Sequence, residues 1–223
     1  MTAETPAPPV VIAVDGAAAS GKGTLSRRLA RHFGYAHLDT GLLYRATGLA
    51  LIRAGKSAAD ETAAIKAAEN LDPDALDDPA LRGDAAAAAA SAAAAVPGVR
   101  AALLDVQRRF AAAPPDGRPG AVLDGRDIGT VICPDADHKI FVEASLEVRA
   151  ERRLKELRER GVDSIPSRVL HDMTERDARD RNRRVAPLVP AEDAYLLDTT
   201  RLDADAAFAA ALEFIKSRNT SPA

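Results

Sequence analysis

Cysteine is nearly absent from this sequence. Cys133 is the single example, which excludes an intrachain disulfide and a cysteine-based zinc site and fits a reducing compartment. It is read as a small buried residue. Histidine is scarce, and His32, His37, His138 and His171 show no metal-ligand spacing, so they are expected to be structural or surface residues. No apolar run approaches the roughly 20 residues that span a bilayer. The alanine stretch 84–95, DAAAAAASAAAA, is too short and too weakly apolar for that. The N-terminus MTAETPAPPV has no basic segment followed by an apolar one and does not read as a signal peptide. A cytoplasmic location without membrane attachment is therefore expected. Excess charge is missing as well: a net −3 excludes a whole-surface attraction to nucleic acid but leaves room for a local basic pocket. There is no repeat of period 20–50 residues, and nothing demands an oligomer, so a monomer is expected.

What is present fits one α/β domain. The 223 residues are 47% hydrophobic and 28% charged, enough for a well-buried core. VVIAVD at 10–15 is a β-branched apolar run ending at glycine, the pattern of a buried parallel strand. AHLDT at 36–40, AVLD at 121–124, KIFVEA at 139–144 and AYLLDTT at 194–200 read as further strands. Between them lie helical patterns. Leu25, Leu29 and Phe33 recur every four residues, and residues 56–113 show only helical patterns broken by DPDALDDP and VPG. The alanine stretch predicts a helix capped by Asp84, and Ser145 predicts the cap of a helix that stops at Gly161. Alternating strands and helices imply a five-stranded parallel sheet covered on both faces.

The sharpest local signal is GAAASGKGT, comprising Gly16, Ala17, Ala18, Ala19, Ser20, Gly21, Lys22, Gly23 and Thr24. It follows a strand and opens a helix, the context in which glycines let backbone N–H groups close around phosphates. Lys22 is suited to the β and γ phosphates, and the Thr24 hydroxyl to Mg²⁺. Two more segments follow strand ends, where open α/β sheets bind ligands. LDTGLLYR supplies Asp39, Thr40, Tyr44 and Arg45, although Asp39 can equally be a helix cap. LDGRDIGT supplies Asp124, placed for the water shell of Mg²⁺, then Arg126 and Asp127.

ERDARDRNRR, at 175–184, reads by itself first as a solvated helix face. Glu175 and Arg179, Arg176 and Asp180, Asp177 and Arg181, and Asp180 and Arg184 stand at i,i+4 spacing. Arg176, Arg179 and Arg183 also fall at i, i+3 and i+7, so one face can carry three guanidiniums that grip phosphate. Combined with a phosphate loop, the second reading prevails, because phosphoryl transfer needs positioning and charge neutralisation above all.

DGAAASGKGT, LDTGLLYR, VLDGRDIGT, PDADHKIFVEAS and RDARDRNRRVAPLVPAEDA together resemble the bacterial cytidylate kinases, P-loop nucleoside monophosphate kinases, over 10–199. The resemblance implies a P-loop NTPase-type α/β fold with a monophosphate-binding insert and an arginine-rich lid. It implies transfer of the γ-phosphoryl group of ATP to CMP or dCMP, with Mg²⁺. The loop 16–24 would hold ATP. Thr40, Tyr44, Arg45, Ser91, Arg100, Arg126, Asp127, Arg176, Asp180 and Arg183 would surround the monophosphate. Arg45 and Arg126 would take its phosphate, Asp127 the cytosine amino group, Ser91 and Arg100 the base and ribose, and Asp180 the ribose. Lys22, Arg126, Arg179 and Arg183 would act on the transferring group. Ala17 stands where the family usually has proline, a change that backbone contacts tolerate. Some members carry a small β-rich insertion, but 56–95 lacks alternation, so a short helical insert is expected.

The expected layout is a tail at 1–9, a single kinase domain at 10–217 and a tail at 218–223. Within the domain the core is 10–44, 97–160 and 190–217, the insert 45–96 and the lid 161–189. ATP and CMP or dCMP are the expected partners, with no nucleic acid. The alternatives are a kinase for another monophosphate such as UMP, or a GTPase-like switch; the guanine-reading NKxD motif is missing.

Overall fold

The computed structural model describes residues 7–219, so most of the two expected tails lies outside the described residues. Five strands form one parallel sheet in the order β2-β3-β1-β4-β5. They are β1 (Val10–Gly16), β2 (Ala36–Asp39), β3 (Gly120–Gly125), β4 (His138–Glu143) and β5 (Tyr195–Asp198). The helices are α1 (Lys22–Phe33), α2 (Thr40–Arg53), α3 (Glu61–Glu69), α4 (Asp84–Ala93), α5 (Pro97–Ala112), α6 (Leu146–Glu159), α7 (Pro166–Asn182) and α8 (Ala204–Asn219). Residues 218 and 219, expected in a tail, thus close the last helix. Among the described residues no single helix is long and apolar enough to cross a membrane.

The central strands are apolar on both faces because both faces are covered. On one side Ile12, Val14, Ile140 and Val142 pack against Leu25 and Leu29 of α1 and Ala211 and Ile215 of α8. On the other, Ala13, Ala121 and Leu123 meet Ala111 of α5 and Ile128 and Ile132. Burying a leucine or isoleucine side chain contributes about 1.5–3 kcal/mol, so these layers set the sheet's position firmly.

The segment 56–95 is helical, as expected, and packs with its flanks into a second core of Leu43, Tyr44 and Leu51 from α2, Ala64 and Ala68 from α3, and Val99 and Leu103 from α5. The insert's expected start at residue 45 falls inside α2. The alanine stretch is a packing surface as well as a good helix former: Ala86, Ala87, Ala90 and Ala93 are buried. A Cβ on Gly48 of α2 would meet the Ala89 Cβ at 2.7 Å, so the two backbones approach as closely as glycine and alanine permit. The expected cap is corrected here. Gly83 occupies the cap position and Asp84 is the first helical residue. Its carboxylate pairs with Arg153 of α6 instead of bonding its own helix.

The segment 161–189 contains α7, packed on α6 through Ala150, Leu157, Val169 and Met173. Ser145 caps α6 by accepting from Val148 N, and Gly161 at φ 69 follows its end, both as expected.

Candidate active site

The site lies at the C-terminal edge of the sheet, where Lys22 after β1, Arg45 after β2 and Arg126 after β3 lie near Arg176 and Asp180 of α7. β1 ends at Gly16, whose φ is 152 and where a Cβ would come within 2.1 Å of the Val142 carbonyl. Only glycine fits there. The loop then passes through Ala19 at φ 58 and Gly21 at φ 95 before α1 begins. A left-handed alanine costs about 1–2 kcal/mol, strain of the kind stored at functional sites. Gly21 gives α1 no side-chain cap, so its first N–H groups stay available to an anion.

Lys22 Nζ donates to the Ala17 carbonyl at 3.2 Å, folding back over the loop. Burial pushes its pKa down to about 7; Arg126 and Arg176 push the same way, against Asp124 and Asp39. An ammonium this poorly compensated is ready for phosphate. Beside the loop, a cavity of about 380 Å³ is lined by Gly21, Thr24, Arg152, Thr199 and Ala204. Arg152 of α6 braces it, donating to Ser20 O, Thr199 Oγ1 and Thr199 O at 3.3, 3.0 and 2.7 Å.

Thr40 and the two aspartates at the C-terminal ends of β2 and β3 form the floor. Thr40 Oγ1 donates to the Asp124 carbonyl at 2.8 Å, fastening the start of α2 to β3. Asp39 does cap α2, accepting from Gly41 N at 3.0 Å. Its pKa is raised by burial and by Asp124 beside it. Asp124 Oδ2 bonds His37 Nε2 at 2.7 Å, while Oδ1 faces the Cβ position of Gly23 at 3.9 Å. Among the described residues no three His, Cys, Asp or Glu side chains converge on a metal. Two hard carboxylates beside a phosphate loop nevertheless suit Mg²⁺, which binds through one or two carboxylates, waters and phosphates. Thr24 is exposed in the first turn of α1, its Oγ1 accepting from Arg27 at 3.4 Å.

Opposite the loop, guanidiniums crowd around Asp180. Arg126 Nε donates to Asp180 Oδ2 at 2.9 Å. Burial pushes the Asp180 carboxyl up, but Arg126, Arg176 and Arg183 more than reverse this and hold it below the usual range. Burial lowers the Arg176 pKa to about 10, and Arg126 adds to the shift. Arg183 is lowered by burial and then by Arg100. The buried Nε atoms of Arg176 and Arg183 have no protein partner, and neither has the buried Ser91 hydroxyl on α4. Buried donors left unpaired are costly, so this is where an anionic, polar ligand gains most. Arg45 donates to the Leu81 carbonyl at 2.6 Å, tying α2 to the turn before α4. Asp127 is buried against Arg100, whose guanidinium lies 5.6 Å from the Tyr44 ring centroid.

The arginine stretch departs from both expectations. Among the described residues, none of its four i,i+4 ion pairs forms. The aspartates turn inward to other elements: Asp180 to Arg126, and Asp177 to Arg149 of α6 at 2.5 Å. Nor do three arginines share one helical face. α7 ends at Asn182, Arg183 has φ −58 and ψ 137, and Arg179 is exposed. The structure thus brings Lys22, Arg126, Arg176, Asp180 and Arg183 together and leaves Arg179 outside. Sequence reasoning missed Asp15, Arg149, Arg152 and Arg153. The last three sit in RAERR of α6, where i and i+3 spacing was the only signal.

A cytidylate kinase family model matches residues 12–217. The cytidylate kinase of Paramagnetospirillum magneticum is 64% identical over 208 residues, covering 93% of this chain and 98% of that protein. That of Rhodospirillum rubrum is 58% identical over 213 residues, covering 95% and 100%. An uncharacterized protein from Eubacterium ventriosum shares the fold alone: TM-score 0.52 at 14% identity, covering 93% of this chain and 99% of that one.

Proposed function

The chain belongs to the cytidylate kinase family, and from that premise we propose how its residues divide the work. The enzyme transfers the γ-phosphoryl group of ATP to CMP or dCMP, giving CDP or dCDP. The observation that carries the division is the buried cluster of Arg126, Arg176 and Arg183 around Asp180, facing Lys22 across the cleft.

The loop N–H groups and Lys22 hold the β and γ phosphates of ATP, and the cavity beside Arg152 and Thr199 takes its base. Asp124, through water, and Thr24 would hold Mg²⁺, which would supply charge to offset the phosphates. Arg45 and Arg126 take the CMP phosphate. Arg176 and Arg183, with Arg179 moving in from its exposed position, stabilise charge on the group in flight. Asp127 accepts from the cytosine amino group through the oxygen that Arg100 does not occupy, and Asp180 likewise from the ribose. Thr40, Tyr44 and Ser91 complete the acceptor wall. Closure of α7 over both nucleotides excludes water and suppresses hydrolysis. The enzyme is a cytoplasmic monomer acting on free nucleotides.

A coupled ADP-release assay with Mg-ATP and, in turn, CMP, dCMP, UMP and AMP tests this reading. Strong turnover of CMP and dCMP with little of UMP or AMP is expected. Comparable UMP turnover would retain the chemistry but remove base reading from Asp127.

A further inference from the structure

Asp15 joins the two halves of the site. It stands at the end of β1, one residue before the phosphate loop opens, and is 5% exposed. Its carboxylate reaches past β3, with Oδ1 accepting from Ile128 N and Oδ2 from Gly129 N, both at 2.8 Å. Those amides begin the π-helical turn Ile128–Ile132. The first N–H groups of a helical segment have no partner within it and need a cap. Asp127 occupies the cap position and is a favoured residue for it, yet its side chain makes no capping bond. It pairs with Arg100 instead, while its carbonyl accepts from Val131 N and Ile132 N at 2.9 and 3.1 Å. The cap is thus supplied from a residue 113 positions upstream. Burial raises the Asp15 carboxyl to about 7 despite the two amide bonds, so its placement costs free energy.

We propose that Asp15 is a positioning residue for base selection: by capping the turn in place of Asp127, it leaves the Asp127 carboxylate to the pyrimidine and fixes its distance from the phosphate loop. The proposal rests on the reading of Asp127 as acceptor for the cytosine amino group. Asn at position 15 would set an NH₂ donor against one of the two amides, because an amide side chain has one accepting oxygen. The turn would lose half its cap, and Asp127 would fold back to supply it, as short polar side chains do locally.

Steady-state kinetics of Asp15→Asn with CMP, UMP and ATP test this. KM for CMP should rise on the order of tenfold, the ratio of kcat/KM for CMP over UMP should fall by a similar factor, and KM for ATP should stay within about twofold. An unchanged ratio, or an equal rise in KM for ATP, overturns the proposal. In an Asp127→Ala background the same substitution should leave the ratio as it is, because Asp15 acts through Asp127; a further fall also overturns it. A wild-type enzyme that uses CMP and UMP equally refutes the reading of Asp127, and this inference with it. Should Asp15→Asn not fold, amide exchange in the wild type decides. The Ile128 and Gly129 amides should exchange about tenfold more slowly with CMP bound than with UMP bound, and equal rates refute the role.

Discussion

The donor and acceptor halves of the site are built in opposite ways. The proposed ATP side is one continuous loop, 16–24, shaped by Gly16 and Gly21 and armed by backbone N–H groups and Lys22. The proposed acceptor side is assembled from Tyr44 and Arg45 on α2, Ser91 on α4, Arg100 on α5, Arg126 and Asp127 after β3, and Asp180 and Arg183 around the end of α7. Its parts are fixed by long-range ion pairs: Arg100 with Asp127, Arg126 with Asp180, Arg149 with Asp177. Backbone donors need no partner to stay in place. Guanidiniums on long side chains need carboxylates to hold them, and buried pairs of this kind cost about 3–5 kcal/mol when one partner is removed. The donor half is therefore held by local conformation and the acceptor half by ion pairs between distant elements, whose guanidiniums a ligand's own negative charge can engage.

Three measurements strain that contrast, in order of expected size. Lys22→Ala should lower kcat by about 10²–10³-fold while raising thermal stability near neutral pH, because burying the ammonium costs the fold free energy and Nζ braces only one carbonyl. A large fall in Tm would make it part of the scaffold. Next, Arg183→Ala should lower kcat by on the order of 10²-fold with a smaller effect on KM, whereas Arg179→Ala should cost less than about tenfold. Equal losses would mean that closure brings the exposed Arg179 fully into the site. An unchanged kcat in Arg183→Ala would remove it from the transition state.

The smallest effect is ionic. With its pKa lowered from about 10.4 to about 7, Lys22 is largely neutral in the free enzyme at pH 8, while bound phosphate favours the ammonium. ATP binding at pH 8 should therefore take up a proton, and ATP affinity should weaken as pH rises through 7 toward 9. Calorimetry in two buffers of different ionisation enthalpy reads the uptake directly. The same depression makes the unliganded fold gain stability with rising pH between about 7 and 10.4, since the unfolded chain holds the proton that the folded one has lost. Equal apparent binding enthalpies in both buffers would show that Lys22 stays charged throughout.

The ordering of strands and helices, the glycine loop that opens α1 and the helical character of 56–95 were all legible, because each depends on residue type and period over a few neighbours. The buried strands announced themselves as apolar runs, and the loop as glycines beside a lysine. Ser91 was placed at the base by resemblance alone, and its buried, unpartnered hydroxyl became visible only in the packed insert. The charge run on α7 was legible as a surplus of arginine but not in its wiring, since i,i+4 spacing says which pairs can form and burial decides which do. Asp84 was read as a cap because aspartate before an alanine helix commonly is one. Arg153, on another element, competed for it and won.

The residues by themselves determined the α/β class, the glycine-bearing loop between β1 and α1, and the presence of more arginine at the C-terminal end of α7 than its own acids use. Those features follow from backbone sterics and short-range periodicity, which a neighbour or two suffices to define. Only the tertiary structure decided that Asp177 and Asp180 face inward, that Arg179 does not, and that Asp15 caps a turn more than a hundred residues away. Each of these is a choice among several available charged partners, and it is made where packing removes water and leaves one partner within reach.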